Sequence, residues 1–284
     1  MDELDHQRFY ASEQYLLPAD EVETLRLNAQ HRMAVKAFEG KLSLAPLNFK
    51  SGDRILESAA GTGIWALEFF EQNRNQGVLL DIECIDISDR QFPRNYPSNV
   101  HLSIHSVTEL PIEWNGTFSY AHQRLLVSAL NDTLWRKAIS ELFRVLTPGG
   151  WVELVEIEGE DLHYDIGPFS TKLQAIFRNV YVNNGHSGAL AAYLPPLLKE
   201  TGFVDVQLES RRLLVGKSGE NGYRSDELGK FFSGLKRNVL NGAGFGFVQT
   251  GEEYEEIVQG SVSEWDANSD KAWVAIYTIL ARKP

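Results

Sequence analysis

"ILESAAGTGIW", Ile55 to Trp65, is the stretch on which the reading of this chain turns. An apolar run closes on Glu57 and is followed by Gly61-x-Gly63-x-x-Ala66, which satisfies the nucleotide-binding pattern G-x-G-x-x-G/A. A strand, a glycine turn and a helix start in that order present backbone N–H groups that a ligand can approach, because glycine lacks the Cβ that would collide. Alone, a turn of this kind also serves simply to join strand to helix. Here Asp86 ends the next apolar run about 20 residues beyond Gly63, where a carboxylate can accept from both hydroxyls of a ribose. An adenosine-bearing cofactor follows from the combination.

Outward from the loop, short apolar runs alternate with helical patterns. Strands are expected at Arg54 to Glu57, "LLDIECID", "VHLSIH", "FSYAH", "GWVELVEIE", "VDVQLESRRLLVG" and "AWVAIYTILARKP", with helices from Gly63 and at "DTLWRKAISELFRVL". This alternation predicts an α/β fold, a doubly wound, mostly parallel seven-stranded sheet. Ahead of it, Asp20 to Gly40 reads as a helix with Val22, Leu25, Ala29, Met33 and Ala37 on its apolar face. Two further helices are expected at Phe169 to Val182 and Ala189 to Glu200, and another at "EEYEEIVQGSVSEW". No boundary is needed: one domain spans 1–284, with a helical cap at 1–48, a cofactor half at 49–158, a substrate half at 159–284 and a helical insertion at about 217–269.

Composition limits the function. Of 284 residues 43% are hydrophobic, enough for a large core, and 27 basic against 39 acidic residues give a net charge of -12. Such a field repels phosphate backbones and anionic lipid, so neither nucleic acid nor membrane is expected as partner. The single Cys84 in an apolar run reads as a buried reduced thiol, and the acidic, polar start does not resemble a signal peptide. A cytoplasmic location is expected.

The loop's neighbours separate two cofactors. A pyrophosphate prefers a bare helix N-terminus, which Glu57 would oppose. S-Adenosylmethionine carries a sulfonium and an ammonium instead, which a carboxylate assists, and the bulky Trp65 at the helix start also disfavours close dinucleotide packing. No Tyr-x-x-x-Lys is present for short-chain dehydrogenase chemistry, and P-loop, G-x-S-x-G and H-E-x-x-H motifs are absent. His101 and His105 share a strand face but lack a third ligand, so no metal is expected.

"ILESAAGTGIWALEF", "IDIS", "SVTELP", "FSYAHQRLL", "ISELFRVLTPGGWVELVE" and the distal "ARKP" resemble, in order, the class I S-adenosylmethionine-dependent methyltransferases. "YLLPADEVETLRLNAQH", Tyr15 to His31, further resembles the fungal branch that includes a global regulator of secondary metabolism and small-molecule methyltransferases. The resemblance covers Tyr10 to Val155 and thins beyond Gly159 to "KETGF" and the last strand. It implies a set of cofactor contacts: Glu57 toward the methionine end, Ala59, Gly61 and Gly63 around methionyl and ribose, Asp86 on the ribose and Ile87 on adenine. It also implies Ser106 and Val107 at the adenine edge, where the family usually has Asp at the Ser106 position. Tyr15 belongs to a lid, and His122, with Arg124 beside it just after the fourth strand, reads either as a hydrogen-bonded strand cap or, by the resemblance, as a contact of the methionyl end and the candidate general base. Pro148-Gly149-Gly150 is implied as a structural turn.

The implied reaction is in-line transfer of the methyl group to an O, N or S nucleophile of a small molecule, a fungal secondary metabolite by this resemblance. The sulfonium is already a good leaving group, so alignment and desolvation carry much of the rate. A protein-directed or regulatory methyltransferase and a fold that binds the cofactor but catalyses cyclisation are the alternatives. The acceptor pocket is expected to draw on Phe169, Phe177, Tyr181 and Tyr193, and on Phe231, Phe232, Phe245 and Phe247.

Overall fold

The computed structural model describes residues 16–157, 163–217 and 222–284. Helix α1 (Glu21–Ala37) precedes strand β1 (Arg54–Ser58), α2 (Ile64–Asn75), β2 (Asp81–Asp86), β3 (Val100–Ile104) and β4 (Phe118–Arg124). There follow α3 (Asp132–Val145), β5 (Leu146–Ile157), α4 (Pro168–Asn183), α5 (Leu190–Thr201), β6 (Val204–Gly216) and β7 (Gly222–Arg224). Helices α6 (Ser225–Gly234), α7 (Lys236–Asn241) and α8 (Gly251–Ala267) lead to the last strand, β8 (Trp273–Arg282).

The strands form one eight-stranded sheet among the described residues, in the order β3-β2-β1-β4-β5-β8-β6-β7. Strands β1 to β5 pair in parallel, and β8 inserts antiparallel between β5 and β6. The strand beyond the seven expected is β7, three residues long and paired to the edge of β6. Three residues opening on glycine carry no alternation to read. Successive residues of β1 point to opposite faces: Ile55 packs with Trp65, Phe69 and Cys84, and Leu56 with Trp135, Ala138 and Leu142. The sheet is thus covered on both sides, by α2 and by α3. Chain order reverses between β1 and β4, and the loops after them leave toward opposite faces, opening a crevice at the carboxyl edge.

The Pro148-Gly149-Gly150 turn lies inside β5. Phe118 faces Leu146 while Tyr120 faces Trp151, so the residues between bulge out of the ladder, with Gly149 at φ +83°. A Cβ on Gly150 would lie 3.0 Å from the carbonyl oxygens of Ser119 and Thr147.

Helix α1 corrects the expectation for its faces. Its N-cap is Asp20, whose carboxylate accepts from the Glu23 N–H at 3.0 Å. Val22 and Leu25, however, are 54% and 65% exposed, while Glu23, Arg26, Gln30 and His31 are buried with Met33 and Ala34. The helix lies over the β1–α2 loop, where the Leu27 side chain reaches within 3.3 Å of a Cβ built on Gly61. A helix that covers a polar crevice buries a polar face, which hydrophobic periodicity does not register.

Candidate functional site

One cavity at the carboxyl edge is bounded by Ala59, Gly61, Asp86, Ile87, Ser106 and Val107, all expected at the cofactor. The loop after β1 holds its shape through left-handed backbone at Ala59 (φ +54°), Gly61 (φ +53°) and Gly63 (φ +69°). At Ala59, the only one with a side chain, this conformation costs about 1 kcal/mol. The Gly61 N–H donates to Asp86 Oδ2 at 2.8 Å, and the Ser88 N–H to Oδ1 at 3.3 Å. Burial raises the Asp86 carboxyl above the usual carboxylate range, and these backbone donors oppose that rise. Ser106 is engaged with its neighbour: its Oγ lies 2.8 Å from Thr108 Oγ1 and accepts from the Thr108 N–H. Helix α1 is clipped to the loop by the Thr62 hydroxyl, which donates to Asn28 Oδ1 at 2.7 Å.

The remaining expectations come out differently. Tyr15 lies outside the described residues. Gly63 caps the N-terminus of α2 and does not line the cavity. Glu57 and His122 are each 1% exposed and do not reach the wall. His122 Nδ1 is 2.5 Å from Glu57 Oε2, and its ring stacks on Trp65. Burial pushes Glu57 well up and His122 well down, so both tend toward the uncharged form. For Glu57 the nearby Arg124 pulls the other way without overcoming burial. The structure thus brings neither Glu57 nor His122 to the cavity wall and pairs them with each other. The two are register partners on adjacent strands, and His122 lies two residues inside the end of β4, on the face of Arg124 but deeper in the sheet.

Among the lining residues not expected as cofactor contacts, the long polar side chains of Arg26, Gln30 and Arg124 stand at the site. Arg26 and Gln30 come from the buried face of α1, and Arg124 from the end of β4. Arg26 donates twice to Glu23, at 2.8 and 2.6 Å. Arg124 has no hydrogen bond or ion pair among the described residues; Glu57 and Glu68 act on it only through space. Two residues past His122, it carries the strand's polarity into the crevice. An unpaired guanidinium facing a cavity fits a ligand with an anionic group, and the Asp86 carboxylate fits one with hydroxyls, so a methionyl carboxylate and a ribose match what is present.

The opposite walls are apolar. Phe177 and Tyr181 of α4 and Phe231 and Phe232 of α6 line the same cavity, as expected. Phe169, Tyr193, Phe245 and Phe247 do not. Phe169 is 44% exposed, Tyr193 lies beside Arg136, and Phe245 and Phe247 pack on the flank of the core. Among the described residues no group of three His, Cys, Asp or Glu side chains is placed to hold a metal ion, and no helix is long and apolar enough to cross a membrane. Cys84 is free and buried.

The chain is similar to known proteins. The profile of the methyltransferase domain family matches residues 29–208. The chain is 37% identical over 144 residues to N-methyltransferase sirN of Leptosphaeria maculans, covering 50% of this chain and 49% of that one, so it spans about half the relative's length. It is 28% identical over 216 residues to N-methyltransferase verN of Clonostachys rogersoniana, covering 74% of this chain and 72% of the relative. In fold it is similar to phosphoethanolamine N-methyltransferase 2 of Haemonchus contortus in complex with S-adenosyl-L-methionine, with a TM-score of 0.50 and 17% identity over 92% of this chain and 52% of that one. The matched stretch is more than half of the chain and holds the glycine loop, Asp86 and the parallel strands in one piece, and the chain accordingly belongs to the class I S-adenosylmethionine-dependent methyltransferase family.

Proposed function

We propose that the protein transfers the methyl group of S-adenosylmethionine to a nitrogen of a small secondary metabolite. The observation that carries the reading is that one cavity is bounded both by the Gly61–Asp86 loops and by the aromatic side chains of α4 and α6. A cofactor held at the first wall turns its methyl toward whatever fills the second. Nitrogen is favoured among O, N and S because sirN and verN are N-methyltransferases.

In this reading Asp86 accepts from the ribose hydroxyls with the lone pairs left free by Gly61 and Ser88. Ile87 and Val107 pack on the adenine, and Arg124 pairs with the methionyl carboxylate. The cofactor supplies an activated methyl on a good leaving group. The protein then has to align a lone pair with the S–CH3 axis and exclude water, tasks suited to an apolar pocket. An unprotonated nitrogen needs no base, which accords with the absence of His122 from the wall. Glu57, His122 and Gly63 support the loop from behind.

The test is calorimetry with S-adenosylmethionine, S-adenosylhomocysteine and NAD, followed by detection of S-adenosylhomocysteine and an N-methylated product from a panel of metabolites. Binding of NAD with neither sulfur compound bound would reverse the assignment.

A further inference from the structure

The underside of α1 carries one polar group that ribose, adenine and methionyl carboxylate leave unused. Helix positions advance by about 100° per residue, so Gln30 projects about 40° from Arg26 and about 60° from Leu27, between the two. Leu27 reaches over the cofactor loop, to 3.3 Å from a Cβ built on Gly61. Arg26 leans the other way: its guanidinium lies 5.9 Å from the Phe231 ring centroid and hydrogen-bonds the Tyr223 hydroxyl. Gln30 therefore hangs over the seam between the cofactor wall and the aromatic wall of the cavity that all these residues line.

The carboxamide of Gln30 is open to a ligand. The residue is 7% exposed and makes no side-chain hydrogen bond among the described residues. Neither its Oε1 nor its Nε2 is among the buried atoms sealed off without a partner, so each keeps surface of its own, and that surface is the cavity's. An amide so nearly buried is completed by a polar atom of what fills the cavity. The two guanidinium groups that line the cavity, Arg26 and Arg124, only donate, whereas the Gln30 oxygen accepts.

Resting on the methyltransferase reading, we propose that the methyl acceptor is an unprotonated primary or secondary amine on an apolar ring, whose N–H donates to the Gln30 carboxamide oxygen. A nitrogen that turns its lone pair along the S–CH3 axis leaves its hydrogen pointing aside, and at the seam the Gln30 oxygen meets it. In the transfer the lone pair forms the N–CH3 bond and the S–CH3 electron pair passes to sulfur. The nitrogen becomes positive with its hydrogen still attached, and it loses that proton to water after release. The N–H···O bond strengthens as this charge develops, so it favours the transition state over the bound ground state. A protonated amine has no lone pair and would face Arg26 and Arg124, and a fully substituted nitrogen has no hydrogen to offer. Gln30 is thus a specificity-determining residue, and methylation stops at the tertiary amine.

The experiment uses the full chain saturated with S-adenosylhomocysteine, whose binding is measured first. Ligand-observed NMR, at a pH where the ring amine is unprotonated, then gives affinities for three probes of one shape. These are 1,2,3,4-tetrahydroquinoline, which carries an N–H, chroman, whose ring oxygen only accepts, and tetralin, which does neither. Tetrahydroquinoline should bind about fivefold tighter or more than either of the others. The parent protein's own probe order tests the proposal without any variant. Gln30→Met should bring tetrahydroquinoline down to the level of tetralin while leaving tetralin within about twofold, whereas damage to the fold would weaken both. In that variant the affinity for S-adenosylhomocysteine should stay within about threefold. Chroman binding as well as tetrahydroquinoline, a preference that survives Gln30→Met, a larger loss of S-adenosylhomocysteine in that variant, or no binding by any probe would each overturn the proposal. Failure of S-adenosylhomocysteine to bind the parent protein would instead overturn the methyltransferase reading, and this inference with it.

Discussion

The imidazole of His122 lies flat on the indole of Trp65, ring centroids 3.8 Å apart and planes inclined by 6°, while its Nδ1 holds the carboxyl of Glu57. Strand β4, helix α2 and strand β1 are locked together by this contact behind the ligand cavity. Replacing His122 by Ala removes the stack and leaves the buried Glu57 without its partner, at a cost of roughly 2–4 kcal/mol in stability. In a folded His122→Ala protein the affinity for S-adenosylhomocysteine should change by no more than about threefold, or ~0.7 kcal/mol. Chemical denaturation and calorimetry measure the two effects. A stable variant that has lost the cofactor would place His122 on the ligand after all.

Asp86 plays two parts, because one of its oxygens shapes the loop through Gly61 and the remaining lone pairs face the cavity. Asp86→Ala should lose the charge-assisted bonds to the ribose, about 2–4 kcal/mol of cofactor affinity in a desolvated site. Asp86→Asn keeps an acceptor for Gly61 and should retain more of the fold while still binding weakly. An unchanged dissociation constant in either folded variant would remove Asp86 from the ribose.

Arg124 can be tied to one group of the ligand by changing both partners. Arg124→Leu should weaken S-adenosylhomocysteine by about 2–3 kcal/mol, in the range of hydrogen bonds to charged groups. The decarboxylated analogue of S-adenosylhomocysteine, lacking the anion, should be almost indifferent to the substitution. Equal losses for both ligands would mean that Arg124 acts through the shape of the crevice, with no direct contact to the carboxylate.

The strands were legible because each run from "RILES" to "WVAIYTILAR" is long, apolar and bounded by turn residues, and the loop was legible because Gly61 and Gly63 take backbone angles that favour glycine. The direction of a buried side chain was not. Glu57 and Ser58 are adjacent on β1, yet Ser58 faces the cavity and Glu57 turns to His122, a difference of one step in a period of two. Helix α1 misled for a related reason: its buried residues are polar because they cover a crevice, and its exposed Val22 and Leu25 mimic a core stripe. Likewise Phe245 and Phe247 could be counted in the sequence, but only the packing of their turn against α7 and α4 reveals that they sit beside the core instead of at the cavity.

Glu156 gives a pH dependence whose sign is fixed by its burial. Its carboxyl, behind the Leu125–Val127 wall, is pushed up to about 8 by desolvation, against the pull of the backbone donors it accepts from. An unfolded Glu ionises near 4.5, so between that pH and about 8 the native state keeps a proton that the unfolded state releases. The stabilisation is full below the unfolded value and declines as pH rises through the folded one, by at most about 5 kcal/mol for this gap. Glu57, Glu153 and Asp86 slope the same way, whereas the depressed His31 and His122 act oppositely below their ordinary value. Glu156→Gln separates the contribution, since the amide cannot titrate. The variant should be less stable than the parent at pH 5, by about 2 kcal/mol or more for the spoiled bonds to Leu126 and Val127. Urea titrations at intervals from pH 5 to 8.5 should show that deficit shrinking as pH rises. A deficit constant across the range would mean that Glu156 is already ionised in the folded protein at pH 5.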